Sequence, residues 1–143
     1  MGFSANRIMS GTFGKLLWDG YEIAECSACQ AKHTYQREDQ QLPGEMAIDS
    51  KVTGTKGTGS VTLKKVFSRF ADYTAAVQRG EDPRSTLIVA LDDPDAYGAE
   101  RVALYNVSLD EMTLMDWQVG KTTDLTIPFR FTKSELLQGV EPR

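Results

Sequence analysis

Histidine and cysteine are almost missing from this chain: one His (His33) and two Cys (Cys26 and Cys29) in 143 residues. That scarcity removes most metal and nucleophile chemistry, since a structural zinc site takes four N or S ligands and a Ser or Cys nucleophile takes a base with an orienting partner. Long apolar runs are missing as well; nothing approaches the ~18 residues of a membrane-spanning helix. Basic charge is in deficit, with 16 Lys and Arg against 20 Asp and Glu and a net charge of −4. A protein that holds nucleic acid by neutralising phosphates needs a clustered basic surface, so that class is disfavoured. The opening Met1-Gly-Phe-Ser-Ala-Asn-Arg-Ile8 has no basic segment leading into an apolar core, so no secretory leader is expected. Asn6 stands where N-myristoylation needs Ser or Thr. A soluble protein made in a reducing cytoplasm, without stable membrane association, is the expectation.

What is present is ordinary in bulk and unusual in places. With 41% apolar and 25% charged residues the chain is globular in composition. Its length suits one domain over residues 1–143, able to bury roughly two-thirds of the surface its unfolded chain exposes. The oddest stretch is residues 44–59, Gly-Glu-Met-Ala-Ile-Asp-Ser-Lys-Val-Thr-Gly-Thr-Lys-Gly-Thr-Gly. It carries little that a core could use and reads as a long loop, flexible alone and able to lie flat on another surface. Long structureless loops in small domains are usually functional or disordered, so Gly44, Glu45, Met46, Lys51, Gly54, Lys56, Gly57 and Gly59 are candidate contacts to a partner.

The strand signals are clearer. Residues 1–12 read as an extended arm. Asp19-Gly20 supplies the positive φ of a tight turn between Lys15–Trp18 and Tyr21–Ile23. Residues 60–67 read as a strand, and a helix is expected from Arg69 to Arg79, with Ser68 as N-cap, Gly80 as stop and a stripe of Phe70, Tyr73 and Val77. Thr86–Leu91 suits a central strand. Ala103, Tyr105, Val107 and Leu109 share a face of the next. Met115, Trp117 and Val119 suggest a further strand over 112–119, and Leu125, Ile127, Phe129 and Phe131 alternate cleanly in the last. Pro128 should put that strand at an edge or cost it a bond. The tail 132–143 is polar and expected to be loosely held. The fold class is therefore mainly β: a sandwich or partly open barrel of about seven strands with one flanking α-helix.

Residues 24–41 resist this scheme. One face would carry Gln30, Gln36, Glu38 and Gln40 and the other His33, Tyr35, Arg37 and Asp39, and neither makes a normal core. Such a segment is a loop, or it pairs outside its own core and faces another subunit or water. Motifs that resemble chemistry fare poorly. Residues three apart on a strand point opposite ways, so Cys26 and Cys29 are expected not to share a ligand. Gly54-Thr-Lys-Gly-Thr-Gly-Ser60 lacks the Lys-Ser/Thr ending of a phosphate loop and leads into a strand. Gly120-Lys-Thr122 has that ending but Met115 where the first Gly belongs. His33 reads as a surface residue. The paired carboxylates Asp92–Asp93 and Asp110–Glu111 fall at turns, where Asp serves local hydrogen bonds. No cofactor, metal or catalytic residue is expected.

Gly54-Thr-Lys-Gly-Thr-Gly-Ser-Val-Thr-Leu-Lys-Lys-Val-Phe-Ser-Arg-Phe70 resembles the central segment of the XkdM-like tail tube family, the inner tubes of contractile phage tails and tail-like bacteriocins. Leu91-Asp-Asp93 with Glu100–Val107, and Asn6–Glu22 with its Leu17-Trp-Asp-Gly-Tyr-Glu22 hairpin, resemble the family's later strand pair and opening. The resemblance implies a structural, non-enzymatic protein of tail-tube-like fold that forms hexameric rings stacked into a tube. It implies the sheath protein and a baseplate or tube initiator as partners, and DNA only as passing cargo. On that model residues 44–59 would reach across to an adjacent protomer or ring, helped by the N-terminal arm. Its setting would be a virion tail or bacteriocin particle assembled in the host cytoplasm. The polar strand would line a water-filled, non-basic bore, with Gln30, Gln36, Glu38, Asp39 and Gln40 as candidate lining and the inward face left open. A small β-barrel ligand-binding module, walled by Trp18, Trp117 and Tyr105, is the alternative. An enzyme comes last.

Overall fold

Eight strands carry the computed structural model, which describes residues 2–142. They are β1 (Gly14–Trp18), β2 (Tyr21–Glu22), β3 (Cys26–Gln41), β4 (Ile48–Lys64), β5 (Ser85–Leu91), β6 (Glu100–Leu109), β7 (Asp124–Phe131) and β8 (Lys133–Gln138), with one helix, α1 (Ala71–Gln78). All pairings are antiparallel, in the order β2-β1-β5-β6-β7-β4-β3, with β8 added to β6. The sheet is not closed, because β2 and β3 end the path without meeting. The expected mainly β architecture is present.

Strand β6 joins the two halves. Its first part, Arg101–Tyr105, pairs with β8 on one side, while Glu100–Leu104 pair with β5 on the other. Its last residues, Ser108 and Leu109, pair instead with β7. The change falls at Asn106, whose φ of 60° is left-handed, opposite the register shift between Ser85 and Leu87. Asn tolerates that conformation better than most residues, and a bulge of this kind bends a strand and re-aims its sides. Between the halves sits the core, including Leu16, Leu87, Leu104, Val61, Ile127 and Phe129, all buried. The alternation read along residues 125–131 is realised: Ile127, Phe129 and Phe131 are buried, and Leu125 packs against the same cluster.

Two glycines let this core close. Gly57 lies opposite Phe131 and Gly59 opposite Phe129. A Cβ on Gly57 would sit 2.6 Å from both the ring and the carbonyl of Phe131, and one on Gly59 would sit 2.6 Å from the Phe129 ring and collide with the Gln30 carbonyl. Residues 44–59 are accordingly not a structureless loop. From Ile48 onward they are strand, paired residue by residue with β3 from Gln41↔Ile48 to Ala31↔Gly59. Gly and Thr misled because low strand propensity does not prevent pairing when a ladder and packing aromatics are supplied.

Other boundaries move. The strand expected over 60–67 stops at Lys64, and α1 starts at Ala71 after Phe70, without a side-chain cap from Ser68. Gly80 ends the helix as expected, at φ 90°. In the apolar stripe Val77 is exposed, and Ala76 is the buried residue. Residues 112–119 form no strand, even though β6 pairs with β7 only at Phe129 and Arg130. Of the two outcomes expected at Pro128, β7 takes the missing bond: it runs between β4 and β6, the Pro128 carbonyl accepts from the Asp110 N–H at 2.9 Å, and the residue has no N–H to give in return. The tail is anchored, because β8 fills the free side of β6. The arm is broken by 3-10 turns at Ala5–Arg7 and Gly11–Phe13, tied down by Arg7 to the Asp95 carbonyl and by the Ser10 N–H to Asp93. Met1 and Arg143, the outer ends of the expected arm and tail, lie outside the described residues.

The loop 65–70 is held to the start of β3 by a two-pronged pair, Arg69 on Glu25, with Nη2 to Oε2 at 2.9 Å. The Glu25 side chain is 7% exposed, and the Arg69 hydrogen bond holds its carboxyl below the usual range. Stability from a lowered carboxyl is present above the unfolded-state value near ~4.3 and is lost as pH falls through the lower folded value. Arg69→Gln is expected to cost about 2 kcal/mol at pH 7 and to shrink that acid-side loss, read by urea unfolding from pH 7 to pH 3. Gly59→Ala is expected to cost about 2 kcal/mol by overpacking. Gly54→Ala, which meets only the Gln36 side chain at 3.1 Å, is expected to stay within about 0.5 kcal/mol. Thermal denaturation of the two glycine variants checks the contrast.

Candidate functional site

Strand β7 pairs with β4 only from Gly57 to Lys64. Beyond Gly57, residues 48–56 of β4 pair with β3 alone, so they and residues 34–41 leave the body as a two-stranded ribbon. Almost every residue of it is exposed. The ribbon twists at Thr53, the extra residue between Gly54 and Val52 opposite Gln36 and Arg37. The far edge of β3 has no partner strand among the described residues along its whole length.

Register assigns the faces. Cys29, Ala31 and His33 lie opposite Val61, Gly59 and Gly57, and these in turn opposite Ile127, Phe129 and Phe131, so this face meets the protomer's own core. The outward face takes the even positions of β3. Gln30, Gln36, Glu38 and Gln40 fall there, together with Lys32 and Thr34, while Asp39 turns to the other face opposite Ser50. Across from them on β4 stand Ser60, Thr58, Lys56, Gly54, Lys51 and Asp49. The outward face is polar throughout but not free of basic groups, since Lys32, Lys51 and Lys56 share it with Glu38 and Asp49. The alternation left these lysines undecided until one face was known to be buried.

The candidate partner contacts divide likewise. Gly44 (φ 80°), Glu45 and Met46 form the ribbon's tip, closed by the Glu45 N–H to the Leu42 carbonyl at 3.2 Å and by Gln41 Nε2 to the Glu45 carbonyl at 3.0 Å. Lys51, Gly54 and Lys56 lie on its outward face. Gly57 is buried and Gly59 half-buried beneath the Phe131 and Phe129 rings, so packing inside the protomer accounts for these two glycines. Sequence reasoning missed Tyr35, Val52 and Ile48. They share the core-side face but lie past the core's end, 57%, 43% and 61% exposed. The signal available was the register: Val52 and Ile48 lie opposite Arg37 and Gln41, which share Tyr35's side of β3.

The cysteines correct an expectation. A register shift between Cys26 and Ala28 inserts one residue, so Cys26 faces Leu63 and Cys29 faces Val61, both on the core side. The thiols share a face after all. Burial pushes Cys26 up and Cys29 to about 12, so neither is a ready thiolate. Among the described residues no group of three His, Cys, Asp or Glu is placed to hold a metal ion. His33, expected at the surface, is half-buried: its Nε2 lies 2.7 Å from Ser134 Oγ and its ring stands edge-on to Phe131, tying β3 to β8.

Comparison with known proteins places this geometry. The family described as phage tail tube protein matches residues 1–138. Phage-like element PBSX protein XkdM of Bacillus subtilis (strain 168) is 34% identical over 137 residues, 92% of this chain and 91% of its own. A chain of the extended sheath–tube complex of an extracellular contractile injection system, PVC, shares the fold with a TM-score of 0.73 at 8% identity, covering 95% of both chains. A chain of the anti-feeding prophage cap, which terminates the tube, is similar with a TM-score of 0.76 at 5% identity, covering 97% of both. A half-open β body with a long paired ribbon, matched in sequence over nearly its full length, belongs to the phage tail tube protein family.

Proposed function

We propose that copies of this chain form hexameric rings that stack into the inner tube of a contractile tail. The observation that carries this reading is the unpaired edge of β3, sixteen residues long, continuing into a ribbon whose two faces are exposed. An open edge of that length is an aggregation hazard unless something covers it, and closure into a ring covers every copy at once. Neighbouring protomers join their β3–β4 sheets into one closed barrel. The core face holds each sheet to its own body, and the outward polar face bounds the bore. Tyr35, Val52 and Ile48, stranded past the core, then lie against an adjacent protomer. The structural role leaves sheath protein and a baseplate or initiator surface as partners. The setting is a virion tail or a bacteriocin particle built in the host cytoplasm, with DNA as transient cargo in the former.

A two-stranded ribbon is marginal alone and needs further strands or packing for stability. Amides of residues 34–41 and 48–56 are therefore expected to exchange at least tenfold faster in the free protomer than in the tube, by hydrogen-exchange mass spectrometry. Negative-stain microscopy of the concentrated protein is expected to show tubes; a protein that stays monomeric, with equal exchange at all concentrations, removes the proposal. In a DNA-carrying particle, Glu38→Lys adds positive charge to the bore. Tubes are expected to form normally and ejection to slow, and unchanged ejection kinetics rule out an electrostatic role for that face.

A further inference from the structure

The two ends of β4 are complementary. At one end the ribbon tip presents Leu42, Met46 and Ile48, 51%, 95% and 61% exposed, on a turn already closed by its own hydrogen bonds. At the other end, just past Lys64, the loops 65–70 and 110–123 leave Val66, Phe67, Leu114, Met115 and Trp117 between 58% and 74% exposed. The Lys65 N–H bonds the Thr123 carbonyl at 2.9 Å, so these loops form one surface. A contiguous apolar patch of this kind marks an interaction site. It is not flat. A hollow of about 160 Å³ opens there, walled by Leu63, Phe67, Phe70, Met112, Leu114 and Leu125. That is room for about five waters of liquid, the scale of one long aliphatic side chain. A second hollow adjoins it beneath Met115 and Trp117.

Charge is matched as well. At the apolar surface Lys64 is neutralised by Asp124 and Arg69 by Glu25, whereas Lys65 borders both hollows and has no ion pair among the described residues. At the tip Glu45 has none either among the described residues. The two surfaces cannot meet within one copy, because the seventeen-residue strand β4 separates them by roughly 55 Å at a strand's rise per residue. A knob at one end and a socket at the other make a head-to-tail contact, and such contacts propagate without limit along an axis.

We infer that the socket formed by loops 65–70 and 110–123 receives the ribbon tip of another copy in the next ring, with Met46 in the hollow and Glu45 on Lys65. This rests on the tube reading and names the partner surface within it. The tip's preformed turn lowers the ordering cost of docking.

The test pairs Met46→Cys with Leu114→Cys, both at exposed positions. Mild oxidation of tubes of the double variant is expected to give covalent ladders longer than six chains on non-reducing gels. Wild type and each single variant, which keep the half-buried Cys26 and Cys29, are expected to give none. Independently, Glu45→Lys and Lys65→Glu are each expected to raise the protein concentration needed for tubes about fivefold, the scale of one surface ion pair, and the combined variant to restore it. Wild-type tubes without a ladder in the double variant, or a combined charge variant that does not recover, overturn the docking and leave the tube reading intact. A wild-type protein that forms no tubes overturns both.

Discussion

Two aromatic rings resting on two glycines hold this molecule in its shape. Phe129 over Gly59 and Phe131 over Gly57 occupy the last rows in which β7 still pairs with β4. Above those rows the ribbon runs on alone; below them the sheet belongs to a packed body. Glycine in a strand ordinarily weakens it, yet a ring laid across the bare backbone returns the lost burial. The ribbon's direction is thus fixed by the core itself, and the outward face inherits its orientation from the same rows. A side chain at either glycine would shift the root of the ribbon and with it every exposed residue beyond.

From that root the molecule divides its surfaces cleanly. From Ala28 onward, register hands the odd positions of β3 to the core and the even ones to the outside, for as long as β7 lies alongside. Past Gly57 the division continues on β3, and the extra residue Thr53 shifts β4 by one, but the core does not continue, which strands Tyr35, Val52 and Ile48 in the open. Asn106 performs a comparable division in β6, handing the strand's pairing from β8 to β7 while Val107 still pairs with Ser85 of β5, and so keeping the halves of an unclosed sheet around one core.

Much of this was legible in the residues. Leu125, Ile127, Phe129 and Phe131 announced their buried face, Asp19-Gly20 its hairpin with φ of 51° and 88°, and Gly80 its helix stop. The oddity of residues 24–41 was also visible: a strand with no sound core face. What could not be read was long-range. Residues 48–56 have weak strand propensity and become strand only because β3 lies alongside. Met115, Trp117 and Val119 alternate like a strand but pair with none. Cys26 and Cys29 share a side because of one inserted residue that no spacing rule announces. Propensity and period describe a segment by itself, and each of these outcomes was decided by a neighbour distant in sequence.

The contact of His33 with Ser134 spans 101 positions of the chain. Closing so large a loop costs conformational entropy that local contacts do not repay, and folds built from such distant pairings acquire them slowly. The ribbon's footing is therefore a non-local feature of this fold, in contrast to the hairpin at Asp19-Gly20, whose strands are adjacent in the chain. On the tube reading, a strand edge that depends on so distant a contact would be presented to neighbours only by a chain whose two ends have already met.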